Sequence, residues 1–132
     1  MQNKFSISVD RRLGIVRIAM NGFFTHEDLA AFVVARREAH EALGWPRNTH
    51  VTLNDVRGMK IQAQDIVDAF QHILADPDFR SRRLAFIAGP TLARLQLERA
   101  LAGRADVRCF EDLDEAEAWL FEEEPAALRR AG

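Results

Sequence analysis

The order of apolar patterns constrains this chain more than any single motif: two strand-like runs come first, and from there helical and strand-like runs alternate to the end. Phe5-Ser6-Ile7-Ser8-Val9 alternates apolar and polar residues with period two, which sends Phe5, Ile7 and Val9 to one face of an edge strand. Asp10 to Gly14 supply turn residues and Ile15 to Met20 form a more continuously apolar strand, so the pair reads as a hairpin closed by Asn21-Gly22. Thr25 and Asp28 have the spacing of a capping box, and Leu29, Phe32, Val33, Ala39 and Leu43 then recur at three- and four-residue steps. Gly44 ends that helix, with Pro46 just beyond.

The alternation continues with a strand over Val51 to Val56 that ends at Arg57-Gly58, and a helix over Gln64 to Ala75 carrying Ile66, Val67, Phe70, Ile73 and Leu74. Arg83 to Ala88 is a strand, Gly89-Pro90-Thr91 a turn and cap, and Leu92 to Ala102 a helix closed by Gly103. Val107 to Phe110 is a short strand. The acidic run Asp112 to Glu115 opens a last helix presenting Leu113, Ala116, Trp119 and Leu120 to the core; Pro125 stops it and Ala126 to Gly132 fray.

Strand-helix-strand units make right-handed crossovers between parallel strands. The pattern therefore predicts one α/β domain over residues 1–124 with a tail over 125–132. Its sheet is mixed, with about five strands, parallel apart from the first hairpin, and about four helices in two or three layers. With 132 residues the chain buries about two-thirds of the surface its unfolded form exposes, enough for one core without staples. The single cysteine, Cys109, excludes an internal disulfide, and Met1 to Asp10 show no charged-then-apolar leader, so a cytoplasmic protein is expected. Charges interrupt every apolar run short of the roughly 20 residues that cross a bilayer, and a net charge of -2 argues against general nucleic-acid binding.

Catalytic templates find little to hold. Phosphate-binding loops need several glycines, yet the three strand-to-helix turns offer one each, Gly22, Gly58 and Gly89. Cys109 sits inside a strand as a small hydrophobe, and His26, His40, His50 and His72 lack metal-ligand spacing. Glu122-Glu123-Glu124 reads as a solvated acidic face. Asp55 with His50 or His72 is the acid-base pairing that remains, and nothing in the sequence brings them together. No enzyme, cofactor or metal is expected.

Two features stand out. Asp55-Val56-Arg57-Gly58 ends a central strand, where open α/β sheets place ligand sites, although Asp55 equally reads as a turn cap or as a partner for Arg57. Charge is also segregated: Arg80, Arg82, Arg83, Arg94, Arg99, Arg104 and Arg108 meet only Glu98 and Asp106, while Glu111 to Glu124 carry acids and no base. That polarity suits either a dipolar docking surface or ordinary solvated faces.

The runs Leu13 to Ile18, Gly22 to Asp28, Asp55 to Gly58, Leu84 to Gly89 and Phe110 to Leu120 together resemble the SpoIIAA-like group of STAS-related domains, over nearly the whole chain. The resemblance implies a STAS-type fold, structurally similar to CRAL-TRIO lipid-binding domains. In the anti-sigma-factor antagonists of this type, a serine at the start of the helix after the central strand is phosphorylated to switch binding. Here Met59-Lys60-Ile61-Gln62-Ala63-Gln64-Asp65 offers no serine or threonine. The leading expectation is a non-enzymatic module that binds an unidentified protein partner through Asp55, Arg57, Gly58, Gln64, Gly89, Thr91 and Arg94. Gln64 and Thr91 lie near helix N-termini suited to an anionic group. The alternative is a small-molecule or lipid-binding module whose pocket is lined from Phe23, Phe24, Phe70, Phe79, Phe86 and Trp45. Pairing of two copies through the edge strand Phe5 to Val9 is a route to a homodimer.

Overall fold

The computed structural model describes residues 4–122; the expected stop at Pro125, the fraying of 126–132 and the acids Glu123 and Glu124 lie outside them. The elements are β1 (Phe5–Asp10), β2 (Ile15–Gly22), α1 (His26–Leu43), β3 (Val51–Met59), α2 (Gln64–Ala75), β4 (Arg83–Ile87), α3 (Leu92–Ala100), β5 (Val107–Phe110) and α4 (Leu113–Leu120). The strands lie in sequence order in one mixed sheet, β1 antiparallel to β2 and every later neighbour parallel. This is the α/β architecture that the alternation predicts.

Sequential order and a common crossover hand fix where the helices go. Three right-handed crossovers stepping the same way along the sheet all fall on one face. Accordingly α1, α2 and the end of α3 share a core with the sheet through Val16, Ile18, Met20, Leu29, Phe32, Val56, Phe86 and Leu97. The last helix leads to no further strand and packs on the opposite face. There Ala116 and Leu120 meet Ile15, Val51, Leu53, Ala85 and Ile87. Arg82 and Arg83 donate to the carbonyls of Leu120 and Trp119, supplying the C-terminal cations that α4 itself lacks.

Local signals hold where expected. Thr25 and Asp28 form the capping box, with Asp28 N donating to Thr25 Oγ1 at 3.1 Å and Thr25 N to Asp28 Oδ2 at 2.8 Å. Gly44 closes α1 in the left-handed region at φ 69°. One boundary needs correction: β3 does not end at Arg57-Gly58 but runs on to Met59. The register slips by one residue between Ala19 and Asn21, after which Asn21 pairs with Gly58 and Gly22 with Met59. Gly58 suits that close approach, because a Cβ there would collide with the Asn21 side chain. The helix after β4 is also shorter than expected, ending at Ala100.

Trp45 is not near any pocket on the α2–α3 side. Its ring covers Gly14 at the turn between β1 and β2, and its Nε1 donates to Arg11 O at 2.7 Å. Gly14 has φ 69°, so a side chain there is strained and also displaces the indole. Gly14→Ala is expected to lower stability by about 2 kcal/mol and to shift Trp45 emission toward that of a solvated indole. Denaturant melts followed by fluorescence check this, and a wild-type curve and spectrum would contradict the packing.

Candidate functional site

Because β2, β3 and β4 are parallel, their carboxyl ends share one edge of the molecule, where the connections to α1, α2 and α3 leave the sheet. Gln62, in the connection from β3 to α2, ties that connection to the one from β2 to α1 and to helix α3. Its Oε1 accepts from Phe24 N at 2.8 Å, and its Nε2 donates to Gly22 O at 2.9 Å and to Lys60 O at 2.6 Å. Its backbone is held by Gln96 of α3: Gln62 N donates to Gln96 Oε1, and Gln96 Nε2 donates to Gln62 O, both at 2.9 Å. The side chain is buried, so each bond satisfies a group with reduced access to water.

Under this knot, between the sheet and the α2–α3 pair, lies a cavity of about 70 Å³. Met20, Val56, Phe70, Leu74, Phe86 and Leu97 form its apolar wall, and Lys60, Gln62, Thr91, Arg94 and Gln96 contribute polar atoms. Above it the surface is unusually greasy for a loop region. Phe23, Ile61, Leu92 and Leu95, one or two from each connection or the helix after it, are 47% to 67% exposed. No residue of α3 is fully buried. Large apolar side chains left in water at the end of a sheet are candidates for an interaction surface; Leu92 and Leu95 line a shallow groove there with Glu98 and Glu111.

The residues expected to form one site divide between two faces of the sheet. Asp55 is in register with Ile87, which points toward α4, so it lies on the opposite face from the cavity. There Arg57 binds it twice, Nε to Oδ1 at 3.0 Å and Nη2 to Oδ2 at 2.7 Å. The hydrogen bonds from Arg57 hold the Asp55 carboxyl below its usual range. The pair satisfies itself. Since β3 continues to Met59, Asp55, Arg57 and Gly58 sit within the strand and not beyond its carboxyl end. Gly89, Thr91 and Arg94 do come together at the start of α3: Thr91 Oγ1 caps the helix by accepting from Arg94 N at 3.3 Å, and Thr91 and Arg94 line the cavity. Gln64 opens α2 but turns to Asp68 Oδ1 at 3.0 Å.

The aromatic set expected around a pocket also divides. Phe70 and Phe86 line the cavity, whereas Phe24 is core, Phe79 lies under Arg36, and Phe23 and Trp45 are outside it. Gln62 and Gln96 were not singled out from the sequence, where nothing distinguishes them: apart from Lys60 O, their partners lie 34 to 40 residues away.

Other candidate groups are occupied elsewhere. His50 stacks edge-on with His40, with centroids 4.6 Å apart, and His72 Nδ1 contacts Asp68 O at 3.0 Å, so neither reaches Asp55. Burial raises the Cys109 thiol, as fits an inert core position. The arginine-rich stretch is largely matched inside the fold, Arg94 to Glu98 and Glu111, Arg83 to Glu122, and Arg80 and Arg104 to Asp106. Among the described residues no three His, Cys, Asp or Glu side chains gather to hold a metal, and no helix is long and apolar enough to cross a membrane.

A family model described as SpoIIAA-like matches residues 15–121, most of the chain and every element from β2 onward. The chain belongs to the SpoIIAA-like family. Among solved structures it is similar to an uncharacterised protein of the DUF3478 family with a SpoIIAA-like fold from Shewanella loihica PV-4. That match has TM-score 0.70 and 19% identity, covering 91% of this chain and 96% of the other. It also resembles an anti-sigma factor antagonist from Mycobacterium paratuberculosis, with TM-score 0.53 and 13% identity over 92% of this chain and 98% of that one. At such identities both structures speak for the SpoIIAA-like fold alone. No curated protein matches the sequence.

Proposed function

We propose that this SpoIIAA-like chain is a non-enzymatic regulatory module that engages a protein partner through the carboxyl-end surface above Gln62. The observation that carries this reading is the exposed apolar group Phe23, Ile61, Leu92 and Leu95 on connections locked to one another by hydrogen bonds. A preorganised apolar patch loses little conformational freedom on docking, which favours affinity. The fold likeness to an anti-sigma factor antagonist points the same way. Because Met59 to Asp65 contain no hydroxyl side chain, and α2 begins at Ala63 without a side-chain cap, binding here is not switched by phosphorylation at that turn. The expected partner-facing residues are therefore Gly89 and Thr91 together with the apolar four, with Arg94 beside them held by Glu98 and Glu111, and not the self-paired Asp55 and Arg57.

The test is a double substitution, Leu92→Glu with Leu95→Glu, compared with wild type in cross-linking and affinity capture from native cells. Both positions are solvent-facing, so the circular dichroism spectrum is expected to stay unchanged while the specifically captured protein falls at least tenfold. Equal capture by both proteins, or none above background with wild type, would remove this reading.

The cavity favours a second reading, a small apolar ligand held between sheet and helices. Its 70 Å³ is about half the ~150 Å³ apolar cavity that takes up benzene in an engineered protein. It therefore admits a few carbon atoms, and an acyl chain only if α3 moves away. Native mass spectrometry of the freshly purified protein decides, an added mass that survives gentle ionisation being the positive result.

A further inference from the structure

A second cavity, of about 30 Å³, lies at the opposite end of the same sheet face and is lined by Arg36, His40, Thr52, Asn54, Arg80, Ser81 and Arg104 among apolar neighbours. It shares none of its polar residues with the carboxyl-end surface and carries a separate argument. Arg36 is 7% exposed, so its guanidinium is nearly out of water. Its Nη1 donates to Ile73 O at 2.8 Å, near the C-terminal end of α2, and its plane lies 4.7 Å from the centroid of the Phe79 ring. Its Nε has no acceptor among the described residues. Asn54 is 1% exposed; among the described residues its Nδ2 reaches only the Met20 sulfur at 3.7 Å, and its Oδ1 has no donor. A half-turn of the amide exchanges these two atoms and presents a strong donor in place of Oδ1.

The charges around this cavity do not balance. Arg80 and Arg104 both bind Asp106, and Asp76 attracts Arg36 from beyond ion-pair distance. Three guanidinium groups thus face two carboxylates. The carbonyl end of α2 and the Phe79 ring offset part of the remaining charge. A buried cation with an unmet N–H still gains from an anion placed against it. The volume sets the size: a single water needs about 10–15 Å³, so 30 Å³ takes one monatomic anion and excludes a phosphate.

We propose that this cavity binds one small monovalent anion of chloride size, held by Arg36 Nε and the Asn54 amide. Such an ion links α1 to β3 in the way a buried counterion links two charged elements, and it adds a ligand-dependent contribution to stability.

The experiment compares melting temperatures in sodium chloride and in sodium gluconate at equal ionic strength, and collects anomalous diffraction from crystals grown in bromide. The wild-type protein is expected to melt about 3 °C or more higher in 0.2 M chloride, and a bromide peak is expected within hydrogen-bonding reach of Arg36 Nε. Arg36→Met keeps an unbranched side chain in the buried site while deleting the donor, and is expected to abolish the difference between the two salts. Identical wild-type melting in both salts, or bromide found at surface positions with only water in the cavity, overturns the proposal. If Arg36→Met does not fold, the wild-type diffraction decides alone.

Discussion

Lowering the pH from 7 to 4.5 is expected to destabilise this protein by about 3 kcal/mol. His50 is buried with no partner for its Nε2 among the described residues, and burial pushes its value down to about 4. His40 is pushed to about 4 as well, first by burial and then by the nearby His50 and Arg36. In the unfolded chain both titrate near 6.5. The folded protein keeps these imidazoles neutral while the unfolded chain takes up protons, so stability is full above pH 6.5 and declines as pH falls toward 4. By pH 4.5 a depression of this size is worth about 2 kcal/mol for a buried imidazole, and partly buried His40 adds less because water screens it.

Acid sensitivity from carboxylates falls in a lower window. Burial alone would raise Asp106, but hydrogen bonds from Arg104 and Arg80 outweigh it and hold the carboxyl at about 2. That contribution is complete above pH 3.8 and is lost between there and 2. Urea melts at half-unit steps from pH 7.5 to 4.5 read the histidine window directly. His50→Phe, which keeps an aromatic ring against His40, is expected to remove more than half of the pH slope. A wild-type slope that stays flat above pH 5 would show that the two histidines are solvated.

The second large effect belongs to Gln62. Gln62→Leu preserves side-chain bulk but strands the buried Phe24 N–H and removes one donor each from the Lys60 carbonyl and from the Gly22 carbonyl, which keeps Lys60 N at 3.2 Å. Each buried polar group stranded in this way costs about 1–3 kcal/mol. With partial access to water the substitution is expected to lower stability by about 3 kcal/mol. Gln62→Glu keeps the acceptor for Phe24 N–H and loses both donated bonds, so it should fall between the two. Hydrogen exchange adds a local readout. Phe24 N–H is expected to exchange at least tenfold faster in Gln62→Leu, while amides in β4 change only with global stability. A leucine variant as stable as wild type, with an unchanged Phe24 amide, would mean that the two connections hold together without this side chain.

The contrast between Thr25 and Gln62 explains how much could be read in advance. The Thr25–Asp28 box spans three residues and depends on local backbone geometry, so its spacing alone announces it. Gln62 works through Gly22, Phe24 and Gln96, which come near it only after the sheet has formed. Arg36 stands between these cases. It occupies the same helical stripe as Leu29, Phe32 and Leu43, four residues after Phe32, and that placement was a legible sign of burial for a residue type normally assigned to solvent. Asp55 shows the opposite failure: its place near a strand end suggested a ligand site, but a one-residue slip prolonged the strand and Arg57 took up its charge.

The sequence by itself determined the elements, their order, and through crossover handedness the parallel sheet with its first hairpin, because periodicity and caps act within a few residues. Only the tertiary structure decided what each face and end of that sheet carries. Strand alternation turned Asp55 toward α4 while Val56 faces the cavity, and parallel pairing gathered Phe23, Ile61, Leu92 and Leu95 at one edge. A one-residue change of register exchanges the two faces, so no local pattern near Asp55 or Gln62 fixes which surface they serve.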